Sequence, residues 1–343
     1  MNGHDPWPAI DRLIDRALRL EDLRRHGLQL LAGRRFRASG RRVDPQLVHD
    51  EQLAAAVALS APRVLEQVRA AYDGPIVLMK GPEIALLYPA PHLRAYGDID
   101  LLVDDAQRAQ RALIAAGFRP VGDPRLYVDI HHLRPLLAPG LALAVEVHDR
   151  PKWPDGERPP ATDELISRAV PSEAGGEGIL TLPGPEHALL VAAHSWAHVP
   201  LGRLSHLLDA DLLAAGCTEA EISSLGRSWR LERIWQVTAE AADTIFRGEP
   251  RAWPLRTWAR NLPAARERTV LERHLQEWLA PYAAAPPRRA LGASAAAFVG
   301  TGRRQPDEAW RAKLRRTVRA LRSPSVRLSD HGRALEAPER RRP

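Results

Sequence analysis

Cysteine is nearly absent: Cys217 stands alone in 343 residues. That excludes an intramolecular disulfide framework and a Cys-rich zinc site, and it makes a reducing cytoplasm the expected setting. No run of ~18 apolar residues occurs, so no membrane-spanning helix is expected. The amino terminus carries Asp5, Asp11 and Asp15, unlike the basic and apolar regions of a signal peptide, so the protein is expected to be soluble and intracellular. Lysine is scarce as well. Lys80, Lys152 and Lys313 are the only lysines among 49 basic residues, and an arginine bias of this kind is what a GC-rich genome produces without functional demand.

The rest of the composition is that of a globular protein, 45% hydrophobic and 27% charged. At ~100–200 residues per domain the length accommodates about two domains with a substantial core. A net charge of +7 and a sequence pI of about 10.1 favour anionic partners such as nucleotides, nucleic acid or acidic surfaces, without choosing among them.

One stretch organises the reading: Gly97-Asp98-Ile99-Asp100-Leu101-Leu102-Val103. A turn-forming glycine leads into a short apolar run, the pattern of a buried strand entered from a loop. Side chains alternate along a strand, so Asp98 and Asp100 project from one face and Ile99 and Leu101 from the other. Two carboxylates in one small volume repel each other unless protonated, hydrated or bound to cations, and a divalent metal that binds phosphate oxygens is the usual reason to build such a pair. A second alternating run, Leu141 to His148, places Glu146 and His148 opposite Leu143, Val145 and Val147. If the two strands are neighbours, Asp98, Asp100 and Glu146 converge on a patch able to hold two Mg²⁺ ions for in-line phosphoryl or nucleotidyl transfer. Upstream, Lys80 and Gly81 follow an apolar strand, and a compact ammonium kept in an arginine-rich chain has a phosphate as its natural partner.

These pieces, in this order, resemble the nucleotidyltransferase superfamily, and within it the bacterial nucleotidyltransferase family proteins. The resemblance rests on Leu78-Met79-Lys80-Gly81, Leu87-Tyr88-Pro89, Arg94, Asp98 to Val103, His131-His132-Leu133 and Val145-Glu146-Val147-His148, and covers residues 60 to 280. It implies an α+β fold: a small mixed-sheet catalytic domain with its metal site at one edge, flanked by N-terminal helices and followed by an all-α domain. It also implies a Mg²⁺ (or Mn²⁺) cofactor, an NTP substrate, Asp98, Asp100 and Glu146 as metal-binding catalytic residues, and Lys80, Gly81, Arg94, His132 and His148 at the nucleotide. Lys80 and Arg94 would neutralise the triphosphate, and Glu146 could take the acceptor's proton. Where the superfamily carries a Gly-Ser pair ahead of the acids, this chain has Lys80-Gly81, farther upstream.

Breaks in periodicity divide the chain. Residues 1–73 read as helical, interrupted between Gly40 and Pro45 and again at Pro62; 74–150 as the catalytic core; 151–184 as a linker; 185–280 as the helical domain; and 281–343 as a Pro/Ala-rich link with a basic tail. Within the core, strands are expected at Pro75–Met79, Asp98–Val103, Tyr127–Ile130, Leu133–Leu137 and Leu141–His148, and a helix at Ala106–Ala116.

Other candidates each have a structural alternative. Arg94 suits a phosphate or an ion pair with Asp98 or Glu146. His131 and His132 at a strand end could position phosphate or acceptor. His194 and His198, at i and i+4, share a helix face and could ligate a metal, but they lack the glutamate of the zinc-protease pattern and by the resemblance line a cleft opposite the acids. His206, Asp209 and Asp211 form a second polar face, with His206 and Asp209 within reach of each other. The stretch Arg303 to Arg327 suits nonspecific nucleic-acid binding or a solvated helix. The acceptor's identity stays open among a small alcohol such as a sugar, a peptide or protein side chain, and an RNA end. Two further readings stand beside the enzyme: a nucleotide-binding regulatory protein with little turnover, and a basic nucleic-acid binder.

Overall fold

Among the described residues, seven strands form one mixed sheet: β1 (Ile76–Leu78), β2 (Asp98–Val103), β3 (Arg119–Pro120), β4 (Leu136–Leu137), β5 (Ala144–His148), β6 (Val170–Pro171) and β7 (Leu180–Thr181). The computed structural model describes residues 5–128, 130–299, 318 and 326–329. The spatial order is β3-β4-β5-β2-β1-β7-β6. β2 runs antiparallel to β1 and parallel to β5, so the acidic strand lies at the centre of the sheet and not at its edge. The fold is mixed α+β, with helices before and after the sheet region.

Alternation sorts the sheet's side chains onto two faces. Ile76, Leu78, Ile99, Leu101, Val103, Val145 and Val147 point into one apolar cluster, which is closed by Val64, Leu65 and Val68 of helix Pro45–Ala71 and by Ala109 and Leu113 of helix Ala106–Ala115. Val77, Met79 and Leu102 point to the opposite face, into a second cluster built from the first helices (Ile10, Ile14, Leu30) and the C-terminal helices (Leu189, Ala193, Leu208). The sheet is therefore sandwiched between two helical layers. Asp98, Asp100, Glu146 and His148 share the second face with Leu102, where they meet the helical half of the chain.

Several expectations change. Helix Pro45–Ala71 starts at Asp44, whose side chain accepts from the Gln46 N–H, and it continues unbroken through Pro62 for 27 residues. Proline removes one backbone donor, and burial of Ala61, Val64 and Leu65 on either side of it holds the helix together. The strand expected at Tyr127–Ile130 is absent in its described part: Asp123 caps a tight helical turn at Pro124–Tyr127 by accepting from the Arg125 N–H, Val128 and Ile130 lie in bends, and Asp129 lies outside the described residues. The run Leu133–Leu137 narrows to β4, and Leu141–His148 to β5. Segment 151–184 is irregular up to Ala161, then supplies helix Thr162–Arg168 and the hairpin β6–β7, which pairs with β1 through β7. The Pro/Ala-rich link is helical, in Val270–Ala284 and Pro287–Val299, as its alanine content favours. Of the basic stretch Arg303 to Arg327, only Val318, Val326 and Arg327 are described; Arg327 pairs with buried Asp22 at 3.0 Å. Among the described residues no helix is long and apolar enough to cross a membrane.

Helix Gly184–His198 is tied to β1 through a buried ring. The His187 Nε2–H donates to the Met79 carbonyl at 2.6 Å, and the Met79 N–H donates to the Asp100 carbonyl at 3.0 Å. Burial lowers the His187 pKa to about 4, against 6.5 for an ordinary ring, and does the same for His26. The fold therefore holds both rings neutral, and their contribution is complete above pH 6.5 and lost as pH falls toward 4. A tenfold change in proton affinity is worth about 1.4 kcal/mol, so the melting midpoint should drop steeply between these pH values. His187→Gln should shallow that slope; a slope unchanged by the substitution would place the acid sensitivity elsewhere.

Candidate active site

Parallel pairing of β2 with β5 puts Asp98 beside Ala144, Asp100 beside Glu146 and Leu102 beside His148. Three carboxylates and an imidazole thus crowd one patch of the covered face, and donor atoms of Asp100, Glu146 and His148 all lie within 4.8 Å of one another. The His148 Nε2 is 3.1 Å from Asp100 Oδ1 and 3.8 Å from Glu146 Oε2. His132, bridged to His148 across the strands, donates from Nδ1 to the Leu133 carbonyl at 2.8 Å. Its Nε2 is thereby left as an acceptor 3.7 Å from Glu146 Oε2. The His131 ring packs at 4.8 Å from His132 and 5.4 Å from His148. Burial, then the neighbouring rings, lowers the His131 pKa to about 3, and burial lowers that of His132.

Lys80 answers the charge. Its Nζ lies 3.1 Å from Asp100 Oδ2 and 3.0 Å from the His194 ring. Burial alone would raise the Asp100 pKa, but the Lys80 ammonium and the His148 hydrogen bond hold it well below the usual carboxylate range. For the other acids the nearby cations do not outweigh burial and mutual repulsion. Burial and the Asp100 charge raise Asp98, and burial followed by Asp100 and Asp98 pushes Glu146 up to about 7. Asp98 has no hydrogen-bond or ion-pair partner among the described residues. A patch whose carboxylates resist ionisation because of each other is short of positive charge, and its donor set suits a divalent cation.

Gly81 follows with φ +69°, and a Cβ there would stand 3.3 Å from the Asp98 carbonyl oxygen. The left-handed turn and the close approach both require glycine. Arg94 does not reach Asp98 or Glu146. It forks onto Asp209 of helix Leu204–Ala214, with Nε to Oδ1 at 3.0 Å and Nη2 to Oδ2 at 2.8 Å, and its Nη1 donates to the Gly81 carbonyl at 3.3 Å. Tyr88 adds a hydroxyl donor to Asp209 Oδ1 at 2.8 Å. Asp209 is therefore held by Arg94 and Tyr88 and not by His206, whose Nδ1 lies 3.2 Å from Ser195 Oγ. Asp211 pairs with Arg247 at 2.8 Å.

A cleft of about 510 Å³ opens above the acids, lined by Lys80, Gly81, Arg94, Asp98, Asp100, His194 and His206. Of His194, His198 and His206, the first and the last thus stand in the wall with Asp98 and Asp100. The N-terminal helices supply a wall that sequence reasoning missed, through Gln29, Asp50 and Leu53. His198 packs on His194 at 4.5 Å, and its Nδ1 lies 2.8 Å from Lys152 Nζ. Each ring faces an ammonium, which a zinc ion bound between them would have to displace. Lys152 was also missed, although lysine scarcity was the signal that could have found it: two of the chain's three lysines meet these paired rings.

Asp100, Glu146 and His148 form a group that could hold a metal ion. A family model described as an uncharacterised nucleotidyltransferase matches residues 14–247, more than half of the chain, and the protein belongs to that family. No curated protein and no solved structure matches the chain.

The Arg94–Asp209 pair is buried, with side-chain exposures of 11% and 4%. Removing one partner strands the other's charge, at a cost of about 3–5 kcal/mol. Arg94→Ala and Asp209→Ala should each lower the urea midpoint accordingly, whereas Arg94→Met with Asp209→Leu should recover most of the loss. An unaltered midpoint in Arg94→Ala would show that the pair does not secure the fold.

Proposed function

We propose that the protein is a metal-dependent nucleotidyltransferase that moves an NMP group from an NTP to an acceptor nucleophile. The observation that carries the reading is the pairing of Asp100 with Glu146 on adjacent parallel strands, with Asp98 two residues before, in a chain of the nucleotidyltransferase family. Asp98, Asp100 and Glu146 would hold the cation, with His148 at its margin. When bound there, a divalent ion or pair of ions stabilises the attacking and leaving oxygens of an in-line displacement at the α-phosphorus. Carboxylate oxygens suit Mg²⁺ and Mn²⁺, and an imidazole in the set shifts preference toward Mn²⁺.

The chain's own groups orient the reactants. The Lys80 ammonium compensates Asp100 and is placed to turn to a triphosphate oxygen once a cation takes over that carboxylate. Lys152 brings a second ammonium to the same neighbourhood, on His198. His194, accepting from Lys80, aims that ammonium, while Gly81 lets the backbone pass close beneath Asp98. The cleft walls from helix Gly184–His198 and the N-terminal helices would exclude water and hold the base and acceptor.

Asp98→Asn and Asp100→Asn should each remove several kcal/mol of transition-state charge stabilisation, roughly a thousandfold in transfer from α-labelled NTP, with the folded state retained. Full activity in Asp100→Asn would sink the site. Lys80→Ala should raise the apparent KM for NTP roughly tenfold or more, the worth of a charge-assisted hydrogen bond. Lys80→Arg should rescue only part, because a planar fork fits a point-charge site poorly. An unchanged KM in Lys80→Ala would return the lysine to a purely structural partner of Asp100.

A further inference from the structure

A second cavity, of about 480 Å³, shares His194, Arg203 and His206 with the acidic cleft and is otherwise walled by Arg25, His26, Arg266, Arg268, Arg273 and neighbours, with Glu267 the one carboxylate among its described lining residues. Glu267 is fully engaged: Arg25 pairs with it at 3.3 Å, and the Ser329 backbone N–H and hydroxyl donate to it at 2.9 and 2.6 Å. Arg266 forks onto Glu272 at 2.6 and 2.8 Å, and Arg273 pairs with Glu277 at 3.0 Å.

Among the described residues, two guanidinium charges remain. Arg268 is 7% exposed, and each of its hydrogen bonds goes to a neutral oxygen: Gln276 Oε1 at 2.5 Å, the Leu201 carbonyl at 2.9 Å, Asn261 Oδ1 at 3.4 Å and the Pro200 carbonyl at 3.5 Å. A buried cation without a counter-ion is costly and is ordinarily paired. Arg203 is exposed and has no hydrogen-bond or ion-pair partner among the described residues, and it stands where the two cavities meet.

We propose that this cavity seats a phosphate group carried by the acceptor, so that the acceptor of the nucleotidyl group is itself a phosphorylated molecule. The proposal rests on the nucleotidyltransferase reading. The NTP's own triphosphate is the other source of such an anion, but its phosphates must ride on the cation held by Asp98 and Asp100, and the second cavity offers no free carboxylate for a metal. The open fork of Arg203 and the buried charge of Arg268 suit the oxygens of a terminal phosphate. An anion held there, with its nucleophile passing His206 and His194, enters the cleft that contains Asp98 and Asp100.

The test is calorimetric titration of inorganic phosphate into the full chain, already saturated with Mn²⁺ and α,β-methylene-ATP so that the first cleft is filled. Wild type should bind phosphate, and Arg268→Gln should weaken that binding roughly tenfold or more, the loss of one charge-assisted contact. Arg203→Gln, at an exposed position, keeps the test open should Arg268→Gln fail to fold. Affinity for the nucleotide analogue, measured first in the same samples, should change less than about twofold in Arg268→Gln, since Arg268 does not line the first cleft, and in Arg203→Gln it should fall less than phosphate affinity does. Absent phosphate binding, or binding indifferent to the substitutions, overturns the cavity while leaving the nucleotidyltransferase reading intact. An equal loss of nucleotide affinity assigns the anion to the NTP and overturns the acceptor. Phosphate binding in a chain that binds no nucleotide analogue fails the underlying reading, and with it the acceptor's role, but not the anion site.

Discussion

Crowded like charge on the covered face of the sheet is the constraint on which the rest of this structure depends. Three carboxylates within one patch would scarcely ionise together in a buried setting, yet the chain holds Asp100 ionised by placing Lys80 against it. That placement requires β1 to end beside β2, which the antiparallel pairing of Leu78 with Leu101 achieves. It also requires the residue after Met79 to turn toward the acids. His187 holds the Met79 carbonyl from one side, and the Met79 N–H holds the Asp100 carbonyl from the other. The helical half therefore positions the lysine as much as the sheet does.

A second set of contacts fixes the walls. Arg94 and Tyr88 both belong to the connection between β1 and β2, which carries the short helices Pro82–Ala85 and Pro91–Leu93, and both close on Asp209, 115 and 121 residues away. This clamp sets helix Leu204–Ala214, with His206 one turn before Asp209, against the loop that carries Gly81. A fork to a buried carboxylate is directional, so it specifies an angle as well as a contact. Together with the His187–Met79 and Lys80–His194 hydrogen bonds and the apolar packing between the layers, it holds the cleft open.

Much of this was legible in the sequence because alternation in a strand is a strict rule. Alternation alone assigns Asp98, Asp100 and Glu146 to one face, and the helix after Val103 is legible as well. Long-range choices were not legible. Arg94 had several acids within plausible reach, and nothing local distinguishes Asp209, which sits at helical spacing from His206. β6 and β7 are two residues each in a Gly-rich stretch, too short for periodicity to register. Pro62 reads as a break, and only the burial of its neighbours shows why the helix runs on. At Tyr127 the aromatic and β-branched run suggested a strand, but Asp123-Pro124 is a turn signal, and the turn prevailed.

The register of β2 against β5 has a consequence for how this chain can change. A strand tolerates substitution more readily than a shift in length, because one inserted or deleted residue exchanges its two faces. A single-codon deletion between Ile99 and Leu102 would turn part of the acidic set into the cluster formed by Ile76, Leu78 and Val145, and bring aliphatic side chains up to Lys80. Sequence drift can therefore alter exposed loops and outer helix faces more readily, while the spacing of the central strand stays locked to the charges it carries.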